Sequence, residues 1–343
     1  MVNKNLYNSW SQTIDETWRS TYCFNDTIKM LSKSMISALK ESIDRGFKLK
    51  CKSVTQKALF SRFLCDENGV LTNEGKTIAI SSVSLKRQAD LLDIPVRKME
   101  FSYPGYPLIK VKNYMNNFYD YTNPDHYKAL VNYELLKTKV FPEILAGNKL
   151  IKDNHLKFAC FDEGKSIFTL LTCMCHNELC RAWDESEHDL SDVRNSLHSI
   201  TLLSLMTKKN GFYSKLSEKL IGAVYSAKIE NILDAFLKIK DTNSDLVDNS
   251  NNTNCIGISR SFLETLYQSL GNKILAKILK IYLIDPNAFG KGWPDITAIG
   301  HDNNVKLFEI KTIDKLHISQ LNTFSEIKNI FDIEIIKCKK ASA

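Results

Sequence analysis

The residues best placed to do chemistry are Asp295, in the run Gly292-Trp293-Pro294-Asp295, and Glu309 and Lys311, in Phe308-Glu309-Ile310-Lys311. Successive strand residues point to opposite faces, so i and i+2 share one. Glu309 and Lys311 therefore project together while Ile310 packs behind. The intervening His301-Asp302-Asn303-Asn304 is a turn sequence, which folds the strand from Asp295 back beside Val305–Lys311. Asp295 is then expected next to Glu309. Two carboxylates and the backbone carbonyl of Ile310 make an oxygen set that suits Mg²⁺ or Mn²⁺. The lysine would orient the attacking water and offset phosphate charge. The pattern thus reads as metal-assisted phosphodiester hydrolysis. The plain alternative is a hairpin with ordinary surface charges. Asp314, Gln320, a helix-like run over Leu321 to Ile330 and a strand over Ile333 to Cys338 follow in register and favour the catalytic reading.

Such a site usually takes a further carboxylate from a helix beside the sheet. Two glutamates compete. Glu264 lies mid-helix in Ser261-Phe-Leu-Glu-Thr-Leu-Tyr, and Glu163 lies in Phe161-Asp-Glu-Gly-Lys-Ser-Ile-Phe, ahead of an apolar helix. Glu163 also reads as a helix-start charge, and Glu264 as an exposed helical residue. Gly164 would let backbone approach the site closely, which favours Glu163.

An Asp followed by Glu-x-Lys on the next strand is the pattern of the PD-(D/E)xK nucleases. Leu270-Gly-Asn-Lys-Ile-Leu-Ala, Gly290-Lys-Gly-Trp-Pro-Asp-Ile, Phe308-Glu-Ile-Lys, Asp314-Lys-Leu and Gln320 together resemble the VRR-NUC domain. The likeness is greatest to the Fanconi-anaemia-associated nuclease family. Glu163-Gly164-Lys165-Ser166 is similar to that family's Glu-Gly-Ser segment, which supplies the helical acid. The resemblance implies a catalytic set of Glu163, Asp295, Glu309 and Lys311, with Asp314 and Gln320 in support. It implies a metal held by Glu163, Asp295, Glu309 and the Ile310 carbonyl. It also implies a partner, DNA that is branched or has a free 5′ end, cut at 5′ flaps or resected 5′ to 3′ in repair. The chain departs from the family at Ser319, where a basic residue is expected, and at Asn287-Ala-Phe-Gly-Lys, where an arginine-rich run is expected. No ubiquitin-binding zinc finger or SAP domain is expected. Other readings on the same core are a restriction, defence or Holliday-junction-type nuclease. A DNA-binding protein with an inert nuclease fold is the non-enzymatic one.

The rest of the chain must position this site. At 343 residues it is long enough for two or three packed units. No run approaches the roughly 20 apolar residues of a membrane helix, and the N-terminal residues lack an apolar signal core, so a cytoplasmic protein without membrane contact is expected. A net charge of +7 is compatible with nucleic acid, and Lys86, Arg87, Lys165, Lys291 and Lys315 are candidate phosphate contacts. Nine cysteines, mostly in apolar segments, read as reduced thiols. Cys173, Cys175, His176 and Cys180 crowd together, but their spacing fits no usual zinc pattern and they read as core.

Three regions are expected. Residues 1–120 form a helical lobe, winged-helix-like if Asp66 to Lys76 makes turns around short strands. Residues 121–254 are helical and contribute Glu163, with a turn at Tyr103-Pro-Gly-Tyr-Pro before them and an Asn/Asp/Ser surface loop over 240–254. Residues 255–343 are the nuclease core, opening with a helix pair broken near Gly271. The fold class is α+β and mostly helical, with a C-terminal restriction-endonuclease-like α/β core.

Overall fold

The computed structural model describes residues 30–101, 143, 146–147, 149–151, 156–185, 203, 206–207, 215–244 and 259–340. The Tyr103–Pro107 turn and residues 245–254 of the surface loop lie outside them. The fold is mixed α/β, with helical N-terminal and middle regions around a five-stranded mixed sheet.

The sheet grows from one hairpin. Strands β3 (Ile296–Gly300) and β4 (Val305–Lys311) pair antiparallel, with Ile296 opposite Phe308. Asp302 accepts the Asn304 N–H, Gly300 and Asn304 close the turn, and Asn303 takes the left-handed conformation that asparagine tolerates. Strand β5 (Asp332–Lys340) returns parallel to β4. Two further strands come from far upstream. β1 (Val96–Phe101) pairs parallel with β5, and β2 (Leu156–Phe161) pairs antiparallel with β3, giving the order β1-β5-β4-β3-β2. The sheet thus extends beyond residues 255–343. Sequence patterning could not reveal this, because pairing between strands more than a hundred residues apart leaves no local signal.

Alternation along β4 sorts the two layers. Leu307 packs in the larger core with the long helices, whereas Phe308 and Ile310 pack on the other face with Ala146 and Leu150, which are helical residues. The larger core is built on α5 (Lys165–Asp184), α6 (Lys215–Ser226), α7 (Ile229–Ser244) and α8 (Arg260–Ile284). Helix α5 buries nearly all round from Ser166 to His176, as its apolar run requires, and one face thereafter. Cys173 and Cys175 lie buried in it, and the Cys175 thiol donates to the Leu220 carbonyl. Helix α8 breaks at Gly271, where φ is 65° and ψ 167°. Helix α7 runs to Ser244, so residues 240–244 are helical rather than part of a surface loop. Ile232, Phe236 and Ile239 bury successive turns and carry the helix into the polar residues that follow.

The N-terminal helices α1 (Lys33–Ser42), α2 (Ser53–Phe60) and α3 (Asn73–Ser81) enclose their own small core. Where short strands were expected, only isolated antiparallel bridges form, Lys48 with Val70 and Cys65 with Leu71. This unit is fastened to the segment after β4 through helix α4 (Leu85–Leu92). The buried Gln88 amide donates to the carbonyls of Ile80 and Leu316 and accepts the Leu316 N–H. The Lys315 ammonium docks on the Ser81 carbonyl.

Between the short α9 (Pro286–Phe289) and β3, the chain passes over the start of α10 (Ile318–Ile327). Helix α10 begins and ends three residues earlier than its apolar run suggests. His317 and Gln320 cap it reciprocally, and histidine is not a usual start signal. Gly292 sits on this crossing with φ 73°, and a Cβ there would lie 2.3 Å from the Ser319 carbonyl carbon. Both conformation and space demand glycine. Gly292→Ala should therefore destabilise the protein by about 2 kcal/mol or more. Urea unfolding would show a lowered midpoint with an unchanged slope; an unaltered midpoint would mean that the crossing relaxes freely.

Candidate active site

The hairpin register sets Asp295 beside Glu309, on the same face. The Asp295 carboxylate accepts the Ile310 N–H at 2.7 Å. Its carbonyl accepts the N–H groups of Asp162 and Glu163, at 2.9 and 3.3 Å. One residue therefore ties together β3, β4 and the loop ahead of α5.

Glu309 is 0% exposed and Lys311 nearly as deep. Glu309 Oε1 accepts from Lys311 Nζ at 2.8 Å and from the Gln320 amide at 2.5 Å. Gln320 is itself held by the His317 N–H. Glu309 Oε2 is buried with no hydrogen-bond partner. Lys311 reaches Asp314 at 3.4 Å, and Asp314 also accepts the Thr312 N–H. Asp314 and Gln320 thus hold the lysine and glutamate from either side.

Burial pushes the Glu309 carboxyl up to about 7 despite Lys311. Burial, then the Glu309 charge, raise Asp295 well above the usual carboxylate range, although the Ile310 N–H opposes this. Burial works against the Lys311 charge, but Glu309, Asp314 and Asp295 outweigh it and leave the ammonium raised. Asp314 is lowered, because Lys311 and its hydrogen bonds overcome its partial burial. Two apposed carboxylates that resist ionisation, beside a strongly held lysine, are a marked perturbation of the kind found where charge is handled.

The loop ahead of α5 differs from its expected reading in one respect. Asp162, not Glu163, caps the helix: its carboxylate accepts the N–H groups of Gly164 and Ser166 and the Thr297 hydroxyl. It is fully buried, and burial raises it to about 6. Glu163 and Gly164 are both left-handed, at φ 50° and 78°. A Cβ at Gly164 would lie 2.6 Å from the Trp293 ring. This strained turn brings Glu163 backbone against Asp295 while its side chain stays exposed.

A residue absent from the sequence reading enters here. Glu143, a helical residue three before Ala146 of the other layer, has a buried Oε2 without a hydrogen-bond partner. Burial raises its carboxyl, and so do the nearby charges of Glu163 and Asp314, against the pull of Lys311. Its charge also acts on Asp295. Pro142-Glu143 carries no local motif, and only the tertiary fold reveals it. Glu264 is half-buried in α8 and is not among the main charges acting on Asp295 or Glu309.

Among the described residues, no three Asp, Glu, His or Cys side chains already converge as a metal ligand set. Like charges repel, and such carboxylates close up only around a cation. The orphaned oxygens of Glu309 and Glu143 nonetheless fit a hard divalent ion. The cysteine group is packed within α5, where the Cys180 sulfur lies 3.7 Å from the His176 ring. Of the candidate phosphate contacts, Lys86 and Lys291 are exposed, Lys165 is partly covered, and Arg87 pairs with Asp44 at 2.8 Å.

No protein-family model matches the sequence, and no curated protein matches it. Among solved structures, the chain is similar to paFAN1 bound to DNA with a 2-nucleotide 5′ flap and a gap. The identity is 13%, the TM-score 0.45, and the match covers 90% of this chain and 49% of that one. A second paFAN1 complex, with a 1-nucleotide 5′ flap and a gap, matches at 12% identity and a TM-score of 0.45 over 84% of this chain and 46% of the other. The chain thus spans about half the length of these proteins, and so remote a likeness assigns no activity.

The raised Glu309 sets a pH dependence. Between its ordinary value of 4.5 and about 7, the folded protein keeps a proton that the unfolded chain has lost. Rising pH through that window therefore destabilises the cation-free protein. A divalent cation must displace the same proton, so its affinity should rise by roughly tenfold per pH unit below about 7 and then level off. Thermal unfolding with and without Mn²⁺ across pH 5–8 measures this. A cation-induced shift in Tm that is flat with pH would remove Glu309 from the ligand set.

Proposed function

We propose that this chain is a divalent-cation-dependent nuclease that hydrolyses phosphodiester bonds in DNA. The observation that carries the reading is half-buried Asp295 beside buried Glu309, with Lys311 2.8 Å from Glu309, on one face of a hairpin. Mg²⁺ or Mn²⁺ would supply charge neutralisation of the phosphate and an acidified water. Asp295 and Glu309 would hold the ion, with the Ile310 carbonyl beside them, and Glu163 and Glu143 would close on it from two sides.

The chain's own groups then have distinct tasks. The Ile310 N–H fixes the orientation of Asp295. Gln320 fixes that of Glu309, leaving Oε2 for the ion. Lys311 keeps its proton, because three carboxylates surround it. It therefore acts as a fixed positive charge that orients water and steadies the negative charge developing on the phosphate. Exposed lysines, Lys86 and Lys291 among them, contact backbone phosphates without reading bases. Preference for branched DNA with a free 5′ end, and a role in repair, rest on the sequence resemblance around Glu163-Gly164-Lys165-Ser166 and the C-terminal motifs.

Glu309→Gln and Lys311→Ala should each lower cleavage of labelled flap, splayed-arm and blunt DNA by about 10²–10³-fold, with DNA binding retained. Glu163→Ala and Glu143→Ala should each cost about 10²-fold or more, whereas Glu264→Ala stays within a few-fold of wild type. An essential Glu264 with a dispensable Glu163 would overturn this assignment. EDTA should abolish cutting. Equal rates on linear duplex and flap would instead support a defence-type nuclease.

A further inference from the structure

Lys311 is followed by Thr312, Ile313 and Asp314. Ile313 is 95% exposed, the most exposed large apolar residue among those described; Val54 follows at 76%. Isolated exposed apolar side chains are common and need no explanation. Three observations set this one apart. First is its place: it lies two residues beyond Lys311, so the two Cα atoms are at most about 7 Å apart. Second is its support. The Thr312 N–H bonds to Asp314, which is bound to Lys311. Lys315 docks on Ser81, and Leu316 is clasped on both backbone groups by buried Gln88. The loop is thus pinned on both sides of a projecting apolar tip. Third is its setting. Lys315 follows two residues on and docks on Ser81, and exposed Lys86 lies with Arg87, which pairs with Asp44, on the helix that carries Gln88; this basic margin beside Asp314 suits a phosphate backbone better than an apolar protein partner.

We infer that Ile313 is a wedge that enters the DNA base stack beside the scissile phosphate and sets the position of the cut. The inference rests on the nuclease reading. A phosphate lying at Lys311 places its neighbouring bases within a step or two, at about 3.4 Å of rise each, which is the reach of Ile313. A β-branched side chain has few rotamers, so it enters a stack without losing much side-chain freedom. Apolar residues inserted between base steps unstack them and kink the duplex. Ile313 is therefore a positioning residue. It acts on the bases, while Asp295, Glu309 and Lys311 act on the phosphate.

The test uses the full chain, with Ile313→Ala and the conservative Ile313→Met. Substrates are a 5′-flap duplex with 2-aminopurine in the pair next to the junction, and the same duplex with that pair mismatched and so already open. With wild type, 2-aminopurine fluorescence should rise on binding in Ca²⁺, and cutting in Mn²⁺ should fall at one position. Ile313→Ala should lose the fluorescence rise, cut the paired junction about tenfold more slowly and at scattered positions, and cut the open junction at the wild-type rate. Ile313→Met should restore both signals. Ile313→Ala that matches wild type on both substrates, or is slowed equally on both, overturns the wedge and leaves the nuclease reading intact. Wild type that cuts neither substrate removes the nuclease reading, and the wedge with it.

Discussion

Asp295 is the joint on which the site depends. Its carboxylate is bonded to the backbone of β4, and its carbonyl receives two N–H groups from the loop ahead of α5. Residues more than 130 positions apart are thereby held in contact, and the entropy of closing that long loop is offset by burial of β2 and α5 in the main core. The two glycines beside the joint are required by contact. Gly164 lies under the Trp293 ring and Gly292 lies on the first turn of α10. Trp293 itself packs edge-on against Phe168 and Phe331. The sharp turns that present Glu163 and Asp295 are thus enforced by apolar packing beneath them.

The charges set into this frame work against stability. Glu309 is fully buried, with one oxygen satisfied twice and the other not at all. A buried carboxylate lacking a partner on one oxygen is costly. A buried salt bridge is itself weak evidence for stability. Such an arrangement persists where the strained charge has a use, and a divalent cation would satisfy the orphaned oxygens of both Glu309 and Glu143.

The N-terminal helices matter to the site through the loop between β4 and α10. Gln88 satisfies both backbone groups of Leu316, and Thr77 bonds to Asn322 on α10. Ile318, within α10, packs into the small N-terminal core. Strand β4 therefore leads into a segment supported from a region more than 200 residues earlier. A substitution in α3 or α4 can shift Asp314 and Gln320 without touching either.

Much of the site was legible because its parts are local. The strand alternation of Glu309 and Lys311, the turn at His301–Asn304 and the spacing to Asp295 follow from the geometry of one hairpin, and Gly271 marked the break in α8. What tertiary structure alone decided has a different physical origin. Strands β1 and β2 join the sheet through backbone hydrogen bonds, which carry little sequence signature. Glu143 comes near enough for its charge to act on Asp295, and no spacing rule connects the two. Asp162 rather than Glu163 caps α5, because the left-handed turn at Glu163-Gly164 sets which side chain faces the helix N–H groups. The apolar run of a sequence locates a strand or helix. Whether a charged neighbour is buried, paired or left orphaned depends on what the fold packs against it.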